Sequence, residues 1–259
     1  MKKESYHTHS TVSDGELSPK ELIECAIENG FETLAITDHY PRPDGIGTGW
    51  SQSFYSDEDY QNLRKLKEEY SGKINVLIGA EFEWLPNKID WLSKQISKRE
   101  YDIKIISVHQ IFLDDKYYTI NYTDEAFREP LDLLGGDIKK MIKIYYQSIR
   151  DAVKSKWFDI VGHLDVIKTL NSDSKYFSED ESWYREEVMK TLEAIKESGM
   201  KMEVNFQGLI RACACQWPSG WIIKEVKKMG IKLVVGTDAH SGSELSLDWN
   251  NVEKVMNES

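Results

Sequence analysis

Short apolar runs recur seven times along the chain, most of them separated by amphipathic stretches of helical period, and this alternation restricts the fold more than any other feature. The first helix is the clearest. Ser18, Pro19 and Glu21 read as N-cap, N1 and N3 of a capping box, and Leu22, Ile23, Ala26 and Ile27 follow at helical spacing up to Gly30. Residues 33–37 (TLAIT) then read as a buried strand ending at Asp38-His39. The same pattern predicts helices over 56–70, 88–98, 137–154, 182–196 and 219–229, the last capped by Ser219. It predicts strands over 75–80, 103–108, 158–161, 201–205 and 232–235, with one more in the N-terminal run to about His9. Such βα alternation gives parallel strands with helices outside, as an open sheet or a barrel. No low-complexity linker or charge block divides the chain, so residues 1–259 read as one domain, long enough to bury its own core. The stretch 110–136 is long for a connection and rich in aromatic and acidic residues (Tyr117, Tyr118, Tyr122, Phe127). It reads equally as a cover over a site and as a surface excursion packed by its own aromatics.

All six histidines occupy strand ends in this frame. His7 and His9 lie on the first strand, and His39, His109, His163 and His240 follow the second, fourth, fifth and seventh. The third strand ends at Glu81, and Asp238 precedes His240 by two residues. In a parallel barrel the C-terminal strand ends share one face, so these residues converge on one mouth. Residues i and i+2 of an extended segment point the same way, which lets His7 and His9 grip one ion. Glu81 could bridge two ions with its two oxygens, and Asp238 could add a carboxylate from the last strand. A single histidine at a strand end is ordinarily a hydrogen-bonding loop residue; six at successive ends argue for ligands. Imidazole with carboxylate suits zinc, iron or manganese better than calcium, and so many ligands point to a multinuclear site.

Composition narrows the partners. A formal charge of −11 argues against nucleic acid as a bulk partner and leaves room for a small phosphorylated substrate neutralised locally by metals. Three cysteines without a CxxC spacing argue against a disulfide framework and fit a cytoplasmic setting. The N-terminus lacks the apolar core of a signal peptide, and no run is long enough to cross a membrane. A homo-oligomer is compatible with all of this.

Taken in order, HTHSTVSDG (7–15), ITDH, GAE, SVH, GHLD and GTDAH resemble the PHP (polymerase and histidinol phosphatase) superfamily over nearly the whole chain. The resemblance implies a distorted seven-stranded (β/α)7 TIM-like barrel with three divalent ions, Zn, Mn or Fe, at the C-terminal strand ends. It implies His7, His9, Glu81 and Asp238 around the first ion, Glu81, His109 and His163 around the second, and Asp14, His39 and His240 around the third. Within the superfamily, EVNFQGLIR (203–211), WPS (217–219) and GHLDVIK (162–168) are similar to the stand-alone histidinol-phosphate phosphatases. The implied reaction is hydrolysis of L-histidinol phosphate, in histidine biosynthesis, by metal-activated hydroxide. Glu81, Asp14 and His240 are its catalytic candidates, the last two as possible sources of the leaving-group proton. The alternatives are another small phosphoester or nucleotide as substrate, and a metal-binding module without catalysis. Two departures stand out. Some relatives have histidine in place of Asp14, and Arg211 matches the family's arginine only after a one-residue insertion, GLIR, before an unusual ACACQ.

Other residues are weighed singly. Arg211 and Arg42 are candidate phosphate clamps, with Lys168 a third. Glu203 and Asn205 share one face of a strand and either orient ligands or recognise the substrate amine. Cys213 and Cys215 read as ordinary free thiols. Gly45, Gly47 and Gly49 lack the ending of a phosphate loop and read as a flexible loop. Trp50, Phe54 and Tyr55 either wall a pocket or fill core.

Overall fold

The computed structural model describes residues 1–43, 46 and 55–257, so Gly45, Gly47, Gly49, Trp50 and Phe54 lie outside the described residues. Seven parallel strands form one sheet in the order β1 (Glu4–Ser5), β2 (Thr33–Ile36), β3 (Asn75–Glu83), β4 (Ile103–Ser107), β7 (Ile160–Val161), β8 (Lys201–Asn205) and β9 (Leu233–Gly236). The sheet curls until its ends meet. Tyr6 N donates to Val235 O (2.8 Å), Asp238 N to His7 O (2.8 Å) and His9 N to Ala239 O (2.9 Å). The result is a nearly closed barrel whose interior is packed by Ala35, Ile103, Ile105, Ile160 and Val234. Strand β2 is buried on both faces, which is why TLAI reads as an unbroken apolar run.

Helices lie outside the barrel. They are α1 (Pro19–Glu28), α2 (Asp57–Glu69), α3 (Ile89–Ile96), α4 (Asp124–Leu133), α5 (Ile138–Ser155), α6 (Ser182–Ser198), α7 (Gly220–Lys228), α8 (Gly242–Leu245) and α9 (Trp249–Asn257). The capping box at α1 is present, with Ser18 N donating to Glu21 Oε2 (2.8 Å) and Glu21 N to Ser18 Oγ (3.3 Å). Ser219 does not cap α7 through its side chain; its backbone N (2.9 Å) and hydroxyl (3.2 Å) both donate to Asp165 Oδ2. The helix expected over 88–98 is shorter, running Ile89–Ile96 after a 3-10 turn, Pro86–Lys88, and ending at Ser97.

The stretch 110–136 is not a structureless connection. β5 (Gln110–Leu113) and β6 (Lys116–Thr119) form an antiparallel hairpin, and α4 follows, capped by Thr123. Asp114 and Asp115 make the two-residue turn with φ of 48° and 60°, as a type I′ hairpin requires. Without glycine or asparagine there, the turn is hard to see in sequence. Ile111, Ile120 and Phe127 are fully buried in the same core as Met141 and Ile142 of α5. The excursion is therefore anchored in the main core, and its Asn121 and Tyr122 reach the strand-end face, so it matches neither of the two readings alone. Tyr55 is buried core.

Candidate metal centre

The C-terminal strand ends carry the expected residues to one place. Beyond β1 the chain runs extended between β2 and β9: Thr8 Oγ1 donates to Ala35 O (2.7 Å) and Thr37 N to Thr8 O (2.9 Å). With Thr8 held outward, His7 and His9 both point inward and are fully buried. Glu81 sits at the centre. Its Oε1 lies 3.0 Å from His163 Nε2 and 3.5 Å from His109 Nε2. Its Oε2 lies 2.7 Å from His39 Nδ1, 3.4 Å from His7 Nε2 and 3.7 Å from His9 Nε2. Asp238 Oδ1 is 3.1 Å from His9 Nε2 and 3.7 Å from His7 Nε2. Asp14 reaches His9 Nδ1 (3.7 Å), His39 Nε2 (3.7 Å) and His240 Nε2 (3.5 Å). All nine expected ligand residues thus meet.

Their donor atoms fall into four overlapping groups, each within 4.8 Å: His9, Asp14, His39 and His240; His7, His9 and Glu81; His7, His163 and Asp238; and Glu81, His109 and His163. The side chains fit divalent cations on chemical grounds. His7 Nε2 is buried, lies no nearer than 3.4 Å to a carboxylate oxygen and makes no hydrogen bond, an arrangement that is costly unless a cation takes up the lone pair. The set is imidazole and carboxylate without thiolate, which suits zinc, manganese or iron. Burial works against ionisation of Glu81 and Asp238, yet the facing imidazoles overcome it and hold both well below the usual carboxylate range. Burial likewise opposes a charge on His240, but Asp14 and Asp238 outweigh it and push this histidine up to about 9. His39 goes the other way, down to about 3, because burial dominates.

A second layer of carboxylates orients the imidazoles. Glu203 takes His7 Nδ1 (2.8 Å) on one oxygen and His163 N (2.7 Å) on the other. Glu83 takes His109 Nδ1 (2.7 Å) and His109 N (2.8 Å) in the same way. A carboxylate only accepts, so each Nδ1 carries the proton and each Nε2 presents a lone pair to the centre. Glu203 occupies space that only glycine leaves, since a Cβ on Gly236 would run into its Oε1. Asn205 Nδ2 donates to Asp238 Oδ2 (3.0 Å), so Glu203 and Asn205 are both engaged by side chains of the cluster. Asp38 accepts from Ser10 N, Ser10 Oγ and Ser13 Oγ, each at 2.7 Å, and so holds the turn that carries Asp14.

Sequence reasoning missed Glu83, Asp38 and Gln207. For Glu83 the signal was available: it is two residues past Glu81, on the same face of a strand that runs on beyond the expected end. Gln207 Nε2 donates to Asp238 O (2.7 Å), and its Oε1 accepts from Arg211 Nε (3.3 Å).

Above the centre lies a cavity of about 290 Å³, walled by Asn121 and Tyr122 after the hairpin, Val166, Thr169 and Leu170 after β7, and Gln207, Arg211, Ala212 and Trp217 after β8. Arg211 is thus at the site. Arg42 lines a different hollow with Tyr40, Tyr55 and Trp91. Lys168 is buried beside the wall, its ammonium held by Asp165 Oδ2 (2.9 Å) and the Ser219 hydroxyl.

The PHP domain family model matches residues 5–207. The chain belongs to the PHP domain family. This PHP protein is 26% identical over 239 residues to the histidinol-phosphatase of Bacillus subtilis, covering 87% of the chain and 88% of that protein. A crystal structure from Listeria monocytogenes superposes with a TM-score of 0.83 at 19% identity, over 96% of the chain and 99% of its own. The histidinol phosphate phosphatase of Lactococcus lactis, crystallised with zinc, L-histidinol and phosphate, gives 0.74 at 24% identity over 98% and 92%. These likenesses confirm the PHP barrel.

Proposed function

We propose that this protein is a metal-dependent phosphatase that hydrolyses L-histidinol phosphate to L-histidinol and phosphate. One observation carries the chemistry: buried imidazole and carboxylate donor atoms converge in groups within 4.8 Å under a cavity with an arginine in its wall. The histidinol-phosphatase activity named for the Bacillus subtilis relative supplies the substrate. In this reading three divalent ions, zinc, manganese or iron, are held by His7, His9, Glu81 and Asp238, by Glu81, His109 and His163, and by Asp14, His39 and His240. Bound ions neutralise a phosphomonoester dianion and lower the pKa of water that attacks it. Glu81 places its two oxygens toward different histidines and so would be shared between two of these ligand sets. Glu203, Glu83 and Asn205 keep the ligands oriented. Arg211 clamps the phosphate from the cavity wall. When not engaged as a ligand, His240, which faces Asp14 across 3.5 Å and is kept protonated by it, would pass its proton to the leaving oxygen. Residues 1–259 act as one catalytic unit, in the cytoplasm. Among the described residues no helix is long and apolar enough to cross a membrane.

A second reading, hydrolysis of another small phosphoester, draws on the altered GLIR segment that carries Arg211. The test is phosphate release by metal-loaded protein from L-histidinol phosphate beside sugar, nucleotide and aryl phosphates. A kcat/KM far higher for histidinol phosphate, abolished by Glu81→Gln, is expected. Uniform weak rates across the panel would keep the phosphatase chemistry and reject the substrate.

A further inference from the structure

Two cysteines have no part in this chemistry and sit at the rim of the cavity. Cys213 and Cys215 follow directly on Arg211 and Ala212, both of which line it. Ala214 between them has a φ of 46°, a left-handed conformation that an L side chain disfavours and that turns the chain back on itself. With one residue between them, the two cysteines meet across this bend and influence each other's ionisation. Cys213 Sγ also lies 3.5 Å from Gly208 O and 3.7 Å from Cys215 O. Both residues are partly exposed. The neighbouring Cys215 thiol lowers Cys213 against the opposing effect of burial, so the pair gives up one proton more readily than a lone thiol does. Cys25 is on another element, its thiol donating to Gly242 O (3.8 Å), and burial pushes it up.

We propose that Cys213 and Cys215 are a thiol–disulfide exchange site, a dithiol that low-molecular-weight disulfides such as oxidised glutathione convert to an internal disulfide. The Cys213 thiolate attacks one sulfur of the small disulfide, breaks its S–S bond and releases one glutathione, which takes up a proton. Cys215 then loses its proton and attacks Cys213 Sγ, expelling the second glutathione. Two protein thiols are oxidised, one small disulfide is reduced to two thiols, and no other electron acceptor is needed. Ring closure takes Cys213 Sγ away from Gly208 O. Gly208 has no slack, since a Cβ there would run into Cys215 O and crowd the Trp217 ring. The strain therefore passes to the segment that holds Arg211 on the cavity wall, and it weakens phosphate binding more than turnover.

Trypsin cuts after Arg211 and Lys224 and leaves both cysteines, without Cys25, on the peptide 212–224. The metal-loaded protein is equilibrated in glutathione buffers of graded redox poise, quenched with acid, alkylated, digested and weighed. The expected result is a peptide that loses two hydrogens, adds no glutathione and reverts under excess reduced glutathione. Cys215→Ser should accumulate glutathione on Cys213, and Cys213→Ser should react far more slowly. A peptide that stays a dithiol at the most oxidising poise, or that stops at a glutathione adduct in the unaltered chain, overturns the exchange site. The effect on the rim rests on the phosphatase reading and is read separately. The oxidised protein should show a several-fold higher KM with kcat nearly unchanged, and an unchanged KM overturns the coupling to Arg211.

Discussion

Removing Glu203 strips the acceptor from His7 Nδ1 and from His163 N at once. Glu203→Ala is expected to weaken metal binding by about 10–100-fold, read by chelator competition, with the fold retained. Gly236→Ala drives a Cβ into the same carboxylate and should cost about 1–3 kcal/mol in urea denaturation. Residue type decided what could be read here beforehand. The clustered histidines were legible because histidine is scarce and every copy stood at a strand end. Asp38 was not, because acidic residues are plentiful and its bonds to Ser10 and Ser13 depend on register, whereas Glu83 could have been found from its i+2 spacing to Glu81. Lys168 shows the converse. Its charge invited a phosphate, yet Asp165 and Ser219 already hold it, and the sequence does not display that neutralisation.

Elements announce themselves through their ends. The box at Ser18 and Glu21 fixed α1 in sequence, and Ser18→Ala should lower stability by about 1 kcal/mol. Ser219 carried a similar signal, but a buried carboxylate at Asp165 competes for it. The hairpin β5–β6 was illegible because Asp114 and Asp115 occupy positions where Asn-Gly is preferred. Asp114→Asn with Asp115→Gly should therefore raise stability by about 1 kcal/mol, seen as a higher denaturation midpoint at unchanged slope. Strands β1 and β7, with two residues each, give almost no periodic signal; the turns and histidines after them located them.

For the whole molecule, alternation established parallel strands with helices outside but left sheet and barrel equal, since closure lies in hydrogen bonds between the two chain ends. If the centre binds ions as proposed, they stabilise the native barrel by mass action. Free metal at a hundred times Kd contributes about 2.7 kcal/mol, so chelation should lower the Tm and restored metal should recover it.

The seam between β9 and the segment after β1 has a consequence for synthesis on the ribosome. The chain's first strand waits for its last partner until residues 233–240 have emerged, and Asp238 and His240 arrive with that partner. A nascent chain stalled after β8 already holds His7, His9, Asp14, His39, Glu81, His109 and His163, but has an open barrel edge and an incomplete cluster. Closure and the last two members of the cluster come together, so a product truncated before residue 233 neither closes the barrel nor completes the cluster.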